Sequence, residues 1–239
     1  MARRFWITGL ALAGAIGVGG LWARQRACRY EPLCHLVRLN LLGFTAFGGK
    51  PAPTAQIVLF GDSRAAAWPA PAGFAIANRG LPGLTSTQAR FRYRWDVSPL
   101  KPTLVIVQVG VNDLTALGFG HAEERIMQTM VTNLGAIVNE ARNDGSRVIL
   151  ATIFGRSPND YERRDPETAQ IQAAIEQVNR TIRAMAAPDV LIFDSAAMLA
   201  DESGYVAERY QDDLLHINAA GYRILNEALG NLLAEQLRR

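Results

Sequence analysis

The sequence predicts an α/β protein, a parallel sheet with helices packed on both of its faces. Two observations carry this. Short apolar runs rich in β-branched residues alternate with longer runs whose apolar residues recur every three to four positions. Three of the short runs end in polar residues beside glycine, and open parallel sheets hold their sites at the carboxyl ends of their strands.

The elements follow in order. Lys50-Pro51-Ala52-Pro53 reads as a short stiff linker, and residues 57–60 (Ile-Val-Leu-Phe) as a first buried strand ending at Gly61-Asp62-Ser63-Arg64. Residues 74–77 form a short second strand that ends at Asn78-Arg79-Gly80. Helical spacing over Ser86–Asp96 precedes a strongly β-branched third strand at residues 103–109, which ends at Gly110-Val111-Asn112-Asp113. In Glu123–Asn143 the apolar residues Ile126, Met130, Leu134, Ile137, Val138 and Ala141 keep the helical period, and Gly145 stops the helix. A fourth strand is expected at 147–154, a helix at 168–186 (Ile171, Ala174, Ile175, Val178, Ile182) and a fifth strand at Val190–Phe193. Asn218 is placed to cap a last helix over 219–237.

Charge separates two regions. Residues 1–50 hold seven Lys/Arg (Arg3, Arg4, Arg24, Arg26, Arg29, Arg38, Lys50) and one acid (Glu31), a net of +6. The chain as a whole is +3, so residues 51–239 are mildly acidic at −3. The basicity belongs to the N-terminal arm, and no motif of a nucleic-acid reader accompanies it. Residues 5–23 carry no charge and are flanked by arginines. As a helix they are about 28 Å long, close to the thickness of a bilayer core. We read residues 1–50 as a signal-anchor or transmembrane segment with a juxtamembrane arm, and residues 51–239 as the globular domain. Cleavage as a signal peptide is the competing reading: Ala23 suits it, bulky Leu21 does not. Arginines flank both ends, so charge does not set the orientation. Cys28 and Cys34 are either a small disulfide loop in an oxidising compartment or two free thiols. The apolar stretch 35–47 is too short to span a membrane.

Parallel strands bring Ser63, Gly80 and Asn112 to one edge of the sheet. Each has a structural reading: Gly80 a tight turn, Asn112 with Asp113 a helix cap, Ser63 the cap of the helix after the first strand. Their joint placement has a chemical one. Serine becomes a nucleophile when a base takes its proton. His216 is available, with Asp213 three residues before it to fix its tautomer and stabilise the imidazolium. Asp212 is the competing acid, but the three-residue offset favours Asp213. Attack on an ester carbonyl puts negative charge on oxygen, which the amides of Ser63 and Gly80 and the side chain of Asn112 are placed to receive. His121, after Gly118-Phe119-Gly120, reads as a surface residue, and His35 belongs to the arm. No His/Cys/acid cluster has metal-ligand spacing and no phosphate-binding loop is present, so no cofactor is implied. Gly61-Asp62-Ser63-Arg64-Ala65 also lacks the second glycine of an α/β-hydrolase nucleophile elbow.

Four blocks of the chain resemble those of the SGNH hydrolases, the GDSL esterase/lipase superfamily. They are Gly61-Asp62-Ser63-Arg64, Asn78-Arg79-Gly80, Gly110-Val111-Asn112-Asp113 and Asp213-Leu214-Leu215-His216, in the family's order and spacing over most of residues 56–225. The resemblance implies a flavodoxin-like three-layer α/β/α fold with a five-stranded parallel sheet. It implies Ser63 as nucleophile, His216 as base, Asp213 as its acid, and Ser63, Gly80 and Asn112 as the oxyanion hole. Arg64 departs from the family pattern, where many members carry Leu, and is expected to bear on helix packing or the pocket rim. The expected protein is an ester hydrolase (esterase, deacetylase or lipase type) in the cell envelope, facing the periplasm, with a glycan- or lipid-borne ester as substrate. Two alternatives use the same fold: an acyltransferase on cell-envelope glycans and a non-catalytic envelope binding protein. The loops 114–119 and 156–165 are expected to frame the cleft, the second with Arg156, Tyr161, Arg163 and Arg164. Arg90, Arg92 and Arg94, alternating with Phe91, Tyr93 and Trp95, suit one amphipathic helix.

Overall fold

Ile57-Val58-Leu59-Phe60-Gly61 forms strand β1 (Ile57–Gly61), buried at every position, as a strand covered on both faces must be. The computed structural model of the chain describes residues 55–117, 122–158 and 165–238. The expected membrane segment, Cys28, Cys34, His35, His121, Tyr161, Arg163 and Arg164 lie outside them. Among the described residues no helix is long and apolar enough to cross a membrane.

After β1 come α1 (Ser63–Ala66), β2 (Ile76–Asn78), α2 (Ser86–Asp96), β3 (Leu104–Gln108) and α3 (Val111–Leu114). They are followed by α4 (Glu123–Asn143), β4 (Arg147–Ala151), α5 (Pro166–Ala184), β5 (Val190–Phe193), α6 (Ser195–Leu199) and α7 (Ala219–Gln236). The five strands form one sheet in the order β2-β1-β3-β4-β5, every pairing parallel. This is the flavodoxin-like strand order, with β1 and β3 neighbours at the switch point where such folds open a crevice.

Side chains alternate across the strands and feed two cores. Val58, Phe60, Val105, Val107, Val148 and Leu150 pack with Tyr93 of α2, Leu134 of α4 and Ile175 of α5. Ile57, Leu59, Leu104, Ile106 and Ile149 pack on the other face with Trp68, Leu199 of α6, and Tyr222 and Leu225 of α7. Each such side chain, taken fully out of water, contributes about 1.5–3 kcal/mol. The two cores make the three layers α/β/α.

The expected elements hold with shifts at their ends. β2 runs from Ile76 to Asn78 rather than over 74–77, and its ladder on β1 continues past the strand as Arg79 N–H donates to Leu59 O (2.7 Å). β4 stops at Ala151, short of 154, because Asn179 takes over the backbone of Ile153: it donates to the carbonyl (2.7 Å) and accepts from the amide (2.8 Å). α5 starts two residues early, capped by the Asp165 carboxylate with Pro166 in the first turn. Asp62, not Ser63, caps α1, accepting from Arg64 N–H. α2 has a reciprocal cap between Thr85 and Gln88. Its aromatic residues divide: Tyr93 is buried against Phe60, while Phe91 and Trp95 face solvent.

Candidate active site

The register places three chain segments side by side. Gly61 is paired with Gln108 across β1 and β3, and Asp62 N–H donates to Gln108 O (3.2 Å). On the other side Leu81 N–H donates to Gly61 O (2.9 Å). Ser63, Gly80 and the Gly110–Asp113 segment therefore leave the sheet at one edge. Close approach explains Gly61 and Gly80. A Cβ on Gly61 would lie 1.8 Å from Gln108 O, and one on Gly80 would lie 2.2 Å from Ala66 N. The sequence offers Gly80 as a tight turn or an oxyanion-binding amide; the structure adds that it packs backbone to backbone on α1.

His216 arrives on the loop before α7, and its Nε2 lies 2.9 Å from Ser63 Oγ. Its Nδ1 lies 2.8 Å from Asp213 Oδ2. Asp213 Oδ1 also accepts from the amides of Leu215 and His216, both at 2.7 Å. Partial burial works against the charge on Asp213, but the bonds from the His216 ring and those two amides outweigh it and hold the carboxyl below its ordinary range. Asp212 is not the partner: its N–H donates to His216 O (3.1 Å), and Asp213 holds the ring.

The remaining predicted residues surround this trio. Asn112 is buried in α3 and donates from Nδ2 to Leu84 O (3.1 Å). Gly80 N–H donates to Asn78 Oδ1 (2.8 Å), and Asn78 Nδ2 in turn reaches Ala65 O (2.8 Å) at the end of α1. Asp113 lies inside α3 and does not cap it; its carboxylate takes the amide (2.8 Å) and hydroxyl (2.6 Å) of Ser86, locking α3 to the first turn of α2. Asn133 of α4 donates to the same Ser86 Oγ (3.1 Å). Burial pushes Asp113 up to about 6 against those bonds, and burial likewise raises Asp62 to about 6 against the nearby Arg64 charge.

Sequence reasoning missed what Arg64 does. It is fully buried and forms no part of the surface. Its Nε donates to Leu215 O (2.9 Å), Nη1 to Phe154 O (2.7 Å) and Nη2 to Gly155 O (3.1 Å). The guanidinium lies 3.8 Å from the centre of the Phe154 ring. Tyr222 was also missed, since its partner is a distant backbone carbonyl: its O–H donates to Arg64 O (2.9 Å). A cavity of about 750 Å³ opens beside α7, lined by Pro69, Pro71, Tyr222, Asn226 and Glu227 among others; Asp212 reaches it, Ser63 and His216 do not.

The doubly wound sheet thus carries a serine, a histidine and an aspartate joined by hydrogen bonds at its carboxyl edge. The family model of the GDSL-like lipase/acylhydrolase family matches residues 48–224, and the chain belongs to that family of hydrolases. It is 30% identical over 138 residues to the uncharacterised lipoprotein YqeF of Bacillus subtilis (strain 168), which covers 49% of this chain and 56% of that protein. The chain thus spans about half the length of the curated relative it matches. A GDSL-like lipase from Bacteroides thetaiotaomicron shares the fold (TM-score 0.59, 20% identity, 75% of this chain and 88% of that one). So does an acetylxylan esterase from Geobacillus stearothermophilus (TM-score 0.54, 18% identity, 75% and 94%).

Proposed function

We propose that the protein is a serine ester hydrolase that works through an acyl-enzyme, with Ser63 as nucleophile, His216 as general base and Asp213 as the acid that orients it. The observation that carries this reading is the pair of bonds on one imidazole, Nε2 to Ser63 Oγ at 2.9 Å and Nδ1 to Asp213 Oδ2 at 2.8 Å. Ser63 Oγ attacks the ester carbonyl as its proton passes to His216 Nε2, and the imidazolium is stabilised by the ionised Asp213. The carbonyl oxygen gains charge and is held by the amides of Ser63 and Gly80 and by Asn112 Nδ2. Gly80 N–H is shared with neutral Asn78 Oδ1 at rest; an oxyanion is the stronger acceptor and draws it away. His216 then protonates the departing alcohol. Water, deprotonated by the same nitrogen, attacks the acyl group; the Ser63 Oγ–acyl bond breaks, the carboxylic acid leaves, and the proton on Nε2 returns to Oγ.

The substrates we favour are small acyl or acetyl esters on a glycan or lipid, a reading supported by the fold shared with an acetylxylan esterase. We place the protein at the cell envelope, residues 1–50 tethering a hydrolase domain of residues 51–239. The uncharged, arginine-flanked segment 5–23 and the likeness to a lipoprotein support this. The test is hydrolysis of p-nitrophenyl acetate and butyrate by the purified protein. Wild type should turn both over, and Ser63→Ala and His216→Ala should each abolish nearly all of the activity, because the pair acts as a unit. Equal rates for wild type and Ser63→Ala would end the proposal. Adding a glycan acceptor separates hydrolysis from transfer, since only a transferase yields acylated glycan.

A further inference from the structure

We propose that Arg64 is a positioning residue that holds the His216 loop against the nucleophile; as a statement about catalysis this rests on the hydrolase reading above. Arg64 is joined through the peptide bond to Ser63. Its Nε donates to the carbonyl of Leu215, the oxygen of the peptide whose nitrogen belongs to His216. That same peptide group gives its N–H to Asp213 Oδ1. The peptide plane before the base is therefore pinned from both sides, by the residue after the nucleophile and by the acid of the trio. The two remaining nitrogens of the guanidinium fix the other end of the bridge on Phe154 O and Gly155 O, just past β4. A second bond links this region to the same loop, Ser157 N–H to Leu214 O (2.9 Å).

Arginine is suited to this place. Its planar fork serves three carbonyls that converge from two loops, and its flat face stacks on Phe154. Burial lowers its pKa to about 10, with Asp62 and Asp213 acting in the opposite sense, so it stays charged at neutral pH. A buried charge is costly, and a side chain that only filled space would be apolar. Arg64 is itself held at both backbone groups, its N–H on Asp62 Oδ1 (2.9 Å) and its carbonyl on Tyr222 O–H (2.9 Å). Both sides of the 2.9 Å contact between Ser63 and His216 are thus built on one residue.

The test uses the full-length chain as wild type, Arg64→Leu and Arg64→Lys. Leu removes all three donors; Lys keeps the charge without the fork. Hydrolysis of p-nitrophenyl acetate gives kcat and KM, and amide hydrogen exchange reports on the loop whether or not an ester turns over. Arg64→Leu should lower kcat about 10- to 100-fold with KM little changed, the signature of a misplaced base. The amides of Leu215 and His216 should exchange about tenfold faster while β3 and β4 keep their protection. Arg64→Lys should show the same changes, smaller in size. Wild-type kcat and exchange in Arg64→Leu overturn the proposal. So does faster exchange spread evenly over the strands, which marks a stability role alone. If Arg64→Leu does not fold, Arg64→Lys decides by the same criteria. If the wild type hydrolyses no ester, the hydrolase reading fails by itself, and exchange confined to the loop, or unchanged there, still decides whether Arg64 positions it.

Discussion

Gly80→Ala asks whether the glycine after β2 is fixed by packing and whether its amide serves the reaction. The new Cβ would lie 2.2 Å from Ala66 N, 2.6 Å from Ala66 Cα and 2.8 Å from Ala65 C, all of them backbone atoms of α1 and its end. Van der Waals contact needs about 3.5 Å, so the 79–81 segment must retreat by more than about 1 Å. It cannot do so freely, because Arg79 N–H and Leu81 N–H tie it to Leu59 O and Gly61 O at 2.7 and 2.9 Å. Overpacking of this kind costs about 1–3 kcal/mol of stability. The same retreat takes Gly80 N–H away from the oxygen it would stabilise. Losing one oxyanion donor costs about 2.7–4 kcal/mol, or about 10²–10³ in kcat. The assay is kcat and KM on p-nitrophenyl acetate beside a thermal melt. A folded Gly80→Ala protein with lowered Tm, unchanged KM and kcat down by about 10² is expected. Wild-type kcat in that variant would refute the assignment of Gly80 as a donor.

Two further predictions concern the frame of the site. Asn179→Ala leaves the amide and carbonyl of Ile153 buried without their partner, so urea unfolding should show a loss of about 2–4 kcal/mol; a loss under 1 kcal/mol would contradict the role given to Asn179. Asp113 is raised from 3.8 to about 6 by burial, so the folded protein holds its proton more tightly than the unfolded chain. Its contribution to stability is complete below about pH 4 and is lost as pH rises through about 6. Asp62 is raised in the same direction. Chemical denaturation should therefore find the protein more stable at pH 5 than at pH 7, by about 1 kcal/mol for Asp113 alone. Asp213 is held low and acts in the opposite sense only below its ordinary range, outside this window. Stability that rises from pH 5 to pH 7 would contradict this.

The parallel sheet and the three residues of the candidate site were legible because their signals are local. Strand and helix periods repeat over a few residues, and Asp213 and His216 stand three apart on one loop. Val190–Phe193 and Glu123–Asn143 match the expected bounds for this reason. What escaped the sequence depends on distant partners. Arg64 reads as a departure within a motif, and its meaning comes from carbonyls 90, 91 and 151 positions away. Gly80 reads as a turn until α1 is seen beneath it. The end of β4 is set by Asn179, which is 26 residues beyond Ile153 and indistinguishable in sequence from any polar residue of a helix. α6 spans five residues, too few for a helical period to register.

The proposed mechanism requires Ser63 to be the activated nucleophile. Its most direct test is reaction of the purified protein with a fluorophosphonate, followed by mass spectrometric mapping of the modified residue. One phosphonyl group on Ser63, formed in the wild type and absent in His216→Ala, is the predicted result. A protein that stays unlabelled, or that is labelled at another residue, would contradict that mechanism.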